Sequence, residues 1–168
     1  KNSIGVAASV IGLLMLINFM FLRIGYADKD DVPSIAILPF ENKGAEADEF
    51  YAYGISSDLI TDVTGAGLIR VASLGDIEKL NFKSTENSEL AKKLFVRYVA
   101  KGTLWKMDSI FQLSMEIFDT KESKVVYNKR WQTDWKDLAT IKDDLSDNIL
   151  ETLEIKILQD SEIDKKIN

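Results

Sequence analysis

The chain has 168 residues, a formal charge of −6, and neither cysteine nor histidine. That excludes disulfide frameworks, thiolate or imidazole zinc sites, and Cys–His or Ser–His nucleophile pairs. The acidic balance argues against nucleic-acid binding by the chain as a whole, while an apolar fraction of 46% is ordinary for a folded domain.

In chain order, residues 4–22 ("IGVAASVIGLLMLINFMFL") come first and carry no charged side chain. As a helix they would reach about 28 Å, close to the hydrocarbon thickness of a bilayer. Lys1 and Arg23 flank the run and Tyr26 suits an interface, so residues 1–27 are predicted to form a transmembrane helix with its flanks. A competing reading is a secretory signal peptide, because "GYA" before Asp28 has the small-x-small form of a cleavage site. Gly5, Ser9 and Gly12 place small residues along the run and predict close helix–helix contact in a lipid membrane. One positive charge at each flank leaves the orientation undetermined. The first residue is lysine, and the chain is expected to be part of a longer protein.

Residues 28–33 are a linker, and residues 34–158 are predicted to form one α/β domain in two or three layers. "SIAILPF" (34–40) has no polar interruption after its first residue, which suits a central strand ended by Pro39. In "YAYGISSDLITDVTGAG", Ile55, Leu59 and Val63 recur four apart with Tyr51 one turn earlier, an amphipathic helix pattern, and the glycines at 65 and 67 end the helix. "LIRVAS" (68–73) is a second strand. "STENSELAKKLF" is a second helix, with Ser84, Thr85 or Asn87 as cap. Three strands follow, joined by tight "DS" and "KES" turns, as an antiparallel meander. In the middle one, Phe111, Leu113, Met115 and Ile117 alternate with Gln112, Ser114 and Glu116, which predicts one covered and one exposed face. Ile141, Leu145, Ile149, Leu153 and Ile157 mark a last helix, and residues 159–168 are a polar tail or linker. The predicted order is a transmembrane helix, then β-α-β-α-β-β-β-α in a mixed sheet.

Three constellations are candidate sites. Gly54, Ser56 and Ser57 stand where the first helix of the domain is expected to open, and free N–H groups there would suit an anion. The same residues also serve as a plain helix cap. Asp58 with Asp62, and Asp143, Asp144 with Asp147, lie on helix faces without the glycine turns of a cation loop, so they are read as solvated faces and no metal is assigned. Trp105, Trp131, Trp135 and Tyr127 fall in the meander among basic residues. They are candidates for a protein contact, against the alternative of cross-strand packing.

The blocks "SIAILPFEN" (34–42), "YAYGISSDLITDV" (51–63), "LIRVAS" (68–73), "VRYVAKGTL" (96–104), "QLSMEIFDTKES" (112–123) and "YNKRWQTDWKDLATIKDDLSDNI" (127–149) resemble, in order, the TolB amino-terminal-like domain. The family departs at two points: an acidic residue is usual where Tyr53 stands, and a glycine where Phe95 stands. The family's domain follows a membrane helix in some bacterial class III nucleotide cyclases and winged-helix regulators. The resemblance therefore implies a non-catalytic sensory or interaction module beside an effector domain, without a cofactor. It places that module outside the cytoplasm on a single-pass inner-membrane anchor, engaging a protein partner or a second copy. The alternative is a membrane-anchored or exported envelope assembly protein, flagellar or secretion related.

Overall fold

A computed structural model describes residues 32–167, with side chains described as far as residue 153 in the last helix. The elements are β1 (Ser34–Ile37), β2 (Glu41–Asn42), α1 (Glu49–Ala66), β3 (Arg70–Val71), α2 (Leu74–Glu78), α3 (Asn87–Leu94), β4 (Tyr98–Met107), β5 (Ile110–Asp119), β6 (Lys124–Asp134) and α4 (Leu138–Ile167). Short 3-10 turns, Glu46–Asp48 and Trp135–Asp137, lead into α1 and α4.

The strands form one six-stranded mixed sheet in the order β3-β1-β4-β5-β6, with β2 pairing β4 beyond the end of β1. β1 runs parallel to β3 and β4, as α-helical crossovers require. β4, β5 and β6 are an antiparallel meander. All four residues of β1 are buried, as a strand covered on both faces should be.

Alternation along the strands sends two sets of side chains to opposite faces. Ile35, Ile37, Tyr98, Leu104, Phe111, Leu113, Met115 and Ile117 join Ile55, Leu59 and Val63 of α1 and Ile141, Leu145, Ile149 and Leu153 of α4 in the larger core. Ala36, Leu38 and Val99 face the other way and pack with Ile77 of α2 and Leu90, Ala91 and Leu94 of α3. The second core is small and reaches only the β3-β1-β4 part of the sheet. Beyond it, the polar face of β4, β5 and β6 has no helix over it among the described residues.

The architecture corrects the predicted fold class. The expected transmembrane helix, with Gly5, Ser9 and Gly12, lies outside the described residues. Among the described residues no helix is long and apolar enough to cross a membrane. The order of elements after residue 33 also differs, because β2 and α2 are additional elements. α2 is capped by Ser73, whose Oγ accepts from the Asp76 N–H at 3.1 Å and donates to the Asp76 carboxylate at 2.7 Å. α3 begins after Glu86, which makes no side-chain cap bond, rather than after Ser84, Thr85 or Asn87. α4 continues to Ile167, through the residues expected to be a tail.

α1 starts at Glu49, five residues before Gly54. Its buried stripe is Ala52, Ile55, Ser56, Leu59 and Val63, and the helix opens two residues before Tyr51, where the apolar spacing begins. It ends at Ala66, with Gly67 in the left-handed conformation at φ 69°.

Candidate functional site

Pro39 has no N–H to give the β4 ladder, and the chain leaves β4 after Leu38 and rejoins it at Glu41. In the gap, Phe40 turns its ring over Gly102. A Cβ at Gly102 would lie 2.6 Å from three ring carbons, so only glycine lets the ring seat there. The Phe40 N–H, which has left the sheet, donates to Ser56 Oγ at 3.3 Å, and the Ser56 hydroxyl is directed at the carbonyls of Tyr53 and Ala52, 2.8 and 3.2 Å away.

Beside this break, at the carboxyl end of β1, a crevice of about 590 Å³ opens on the thinly covered face of the sheet. Open α/β sheets commonly bind ligands at such a place, and the volume is in the usual range for a binding cleft. Three cross-strand layers define its floor and the face that continues from it. Lys101, Glu116 and Asn128 form the first, Thr103, Ser114 and Arg130 the second, and Trp105, Gln112 and Gln132 the third. The Thr103 and Ser114 hydroxyls hydrogen-bond each other at 2.6 Å. Leu38, Tyr53, Glu78 and Phe82 contribute to the walls. The Tyr53 hydroxyl donates to Glu78 Oε1 at 2.8 Å, and this hydrogen bond, a little burial and the Glu78 charge hold its pKa above the ordinary phenol value.

Half-buried Lys101 and Glu116 stand directly opposite one another, yet neither has an ion pair among the described residues. Asp119, three strand positions on and completely buried, is the opposite case. Arg97 donates to it from Nε at 3.1 Å and Nη2 at 2.7 Å, and the backbone N–H groups of Lys121 and Glu122 donate at 2.9 and 3.2 Å. Burial pushes the Asp119 pKa up, but these donors outweigh it and hold the carboxyl below its ordinary value.

The sequence-derived sites fare differently. Gly54, Ser56 and Ser57 lie inside α1, where backbone N–H groups are already committed to the helix. The free N–H groups expected at them belong to the first turn at Glu49. Ser56 is a buried structural hydroxyl, and a Cβ at Gly54 would meet nothing within 4 Å. The aromatic set divides between the faces. Trp105 is 46% exposed on the polar face, whereas Trp131 is 7% exposed in the main core. Trp135 packs edge-on to Tyr51 and Phe111, with centroids 4.7 and 5.4 Å away. Lys106 lies 5.1 Å from the Tyr51 and Trp135 ring centroids and reaches Asp48 at 3.0 Å. The Tyr127 hydroxyl and the Trp131 indole nitrogen are buried without a hydrogen-bond partner among the described residues. Asp58 is ion-paired to Lys142 of α4, which ties the two helices on the covered face.

Sequence reasoning did not assemble Glu78, Phe82, Lys101 and Glu116 into a site. The period-two polar series of β5 was the available signal, but which elements leave that face uncovered is a tertiary property.

No family model matches the chain. By fold, it is similar to TolB from Acinetobacter baumannii, at 19% identity and a TM-score of 0.53 over 74% of this chain and 29% of that one. It is also similar to lipoprotein GNA1162 from Neisseria meningitidis, at 12% identity and a TM-score of 0.52 over 71% of this chain and 98% of that one. By sequence, the chain is 24% identical over 126 residues to putative adenylate cyclase 3 of Rhizobium meliloti strain 1021, covering 74% of this chain and 22% of the relative. The chain thus spans about a fifth of the length of the curated relative it matches.

Proposed function

We propose that the chain is a non-catalytic accessory domain of the bacterial cell envelope that works by holding another protein. The observation that carries this reading is the crevice at the carboxyl end of β1, whose charged and aromatic lining has no nucleophile–base pair and no metal-holding cluster among the described residues. Its fold likeness to a lipoprotein supports the envelope setting. The test is site-specific photo-crosslinking in cells, with a photoreactive residue at Phe82 or, as a control, at Leu68, which is exposed at the end of α1 away from the crevice lining. The reading expects one discrete adduct from Phe82, in the envelope fraction, and none from Leu68. Equal labelling from both positions, or none from either, overturns it.

A second reading is favoured by the match to a putative adenylate cyclase: the domain is the regulatory part of a longer nucleotide cyclase. Under that reading, a crevice variant such as Glu116→Gln, introduced into the protein as the cell makes it, changes cyclic nucleotide levels without changing protein abundance. Unchanged levels reject it.

A further inference from the structure

We propose that the free edge of β6 takes an extended segment of the partner protein as an additional strand of the sheet. This rests on the accessory-domain reading above and names how the partner is held.

The two edges of the sheet differ in length. β3 closes one with two residues, while β6 closes the other with eleven and pairs with β5 alone among the described residues. The ladder fixes which β6 backbone groups point outward. The Trp135 N–H donates to the Ser109 carbonyl at 2.7 Å, one step beyond the Ile110–Asp134 pair. Hydrogen-bonded and non-bonded pairs alternate along antiparallel strands, so Thr133, Trp131, Lys129 and Tyr127 bond to β5. Asn128, Arg130 and Gln132 then turn their N–H and C=O groups away from it. The far side of β5 agrees. The Thr120 N–H donates to the Arg97 carbonyl at 3.1 Å, which commits Gln112, Ser114 and Glu116 to β4 and leaves Phe111, Leu113, Met115 and Ile117 for β6. Among the described residues, none bonds the outward groups of Asn128, Arg130 and Gln132.

The β5–β6 register shift lies between Ile117 and Phe118, so residues 128–134 are free of a bulge. They run about 20 Å at strand rise. The outward groups belong to the residues that end the three polar layers of the open face, and Asn128 also lines the crevice. An added strand therefore lengthens each layer by one side chain and continues the crevice floor. Its intervening side chains fall on the opposite face, beside Trp131 at the margin of the main core. The occupant is a segment with period-two alternation, polar over the open face and apolar between.

The edge is unsuited to its own copy. Lys129 and Arg130 are exposed there without ion pairs among the described residues, and edge cations guard against like pairing with like. In the antiparallel self-pairing that uses all of residues 128–134, Trp131 opposes itself and each Arg130 lies diagonal to its copy.

The experiment selects a displayed random peptide library on the full 168-residue chain and measures a selected, fluorescently labelled peptide by anisotropy. Selected sequences should alternate polar and apolar residues. Arg130→Pro removes an outward N–H and no ladder bond, which an edge strand tolerates, and should weaken binding about tenfold or more. Arg130→Gln keeps that N–H and should bind within about threefold of the wild type. In the wild type, bound peptide should slow amide exchange at Asn128, Arg130 and Gln132 while Lys129 and Trp131 change little, a readout that needs no variant to fold. Peptides whose binding survives Arg130→Pro, exchange protection away from β6, or no selected peptide overturns the inference. A doubling of mass in solution that Arg130→Pro abolishes overturns it too, because the edge then serves a second copy. Crosslinking from Phe82 separates the two levels: an adduct that persists in Arg130→Pro sinks this inference and leaves the accessory reading standing, while no adduct sinks both.

Discussion

β5 presents two strands in one. Its odd positions, Phe111 to Ile117, lie under α1 and α4 and are completely or almost completely buried. Its even positions, Gln112, Ser114 and Glu116, lie on the face that α2 and α3 reach only at its edge. The covered face spends its residues on packing and answers its one charge, Asp119, with Arg97 and two backbone donors. The open face holds Glu116 and Lys101 opposite one another, without ion pairs among the described residues. Antiparallel strands commonly keep one packed and one solvated face, and the crevice lies at the edge of the solvated one.

The contrast can be broken most directly by truncation. Leu113→Ala should cost roughly 3–4 kcal/mol, the price of a cavity in a packed core, while Gln112→Ala next to it should stay within about 0.5 kcal/mol. Denaturant unfolding of the two variants compares the faces, and equal losses would dissolve the distinction.

Next comes Asp119. Removing it as Asp119→Ala should cost about 3 kcal/mol, because it strands Arg97 and leaves two backbone N–H groups without their acceptor. Its folded pKa lies below its unfolded value, so its stabilising contribution is present above the unfolded value and is lost as pH falls through the folded one. The wild type should therefore lose stability more steeply than the variant below about pH 4. Parallel acid titration curves of unfolding free energy would refute this assignment.

A smaller effect should appear at Phe95. It ends α3 in the left-handed conformation at φ 54°, with 81% of its surface exposed. A side chain there costs conformational energy and returns little burial, so Phe95→Gly should raise stability by about 1 kcal/mol. Glycine adopts this conformation without strain, which gives the Phe95 position a backbone preference for glycine.

Tyr127 sharpens the comparison from the covered side. Its hydroxyl is buried without a hydrogen-bond partner among the described residues, and burial, then the charges of Asp144 and Glu151, pushes its pKa up to about 12. The raised value keeps the phenol neutral in the fold, so its contribution is intact below pH 10 and is lost as pH rises toward 12. Tyr127→Phe should be neutral or stabilising by up to about 1 kcal/mol and should flatten the alkaline loss. A clear destabilisation would mean that the hydroxyl has an acceptor.

Much of the layout was legible in the one-dimensional pattern because local periodicity reports the solvent each element sees. The burial of β1 follows from an uninterrupted apolar run, the meander from two tight turns, and the two faces of β5 from strict alternation. Element ends were less legible. α1 begins upstream of Gly54 because Ala52 finds a core, and α2 was passed over although Ser73 stands three residues before Asp76, the spacing of a capping box. The aromatic residues misled for a related reason. Neighbours in sequence alternate between faces, and no spacing tells which face a helix will later cover.

What the sequence by itself determined is therefore the main strands and helices and the two faces of β5, while β2, α2 and the full length of α4 came from the structure. Only the tertiary structure decided that the Pro39 break, the glycine under Phe40 and the short reach of α2 and α3 leave one part of the sheet open. Glu78, Phe82 and Lys101 come from separate elements and meet Glu116 there, because helices cover a sheet only as far as their length and loops allow.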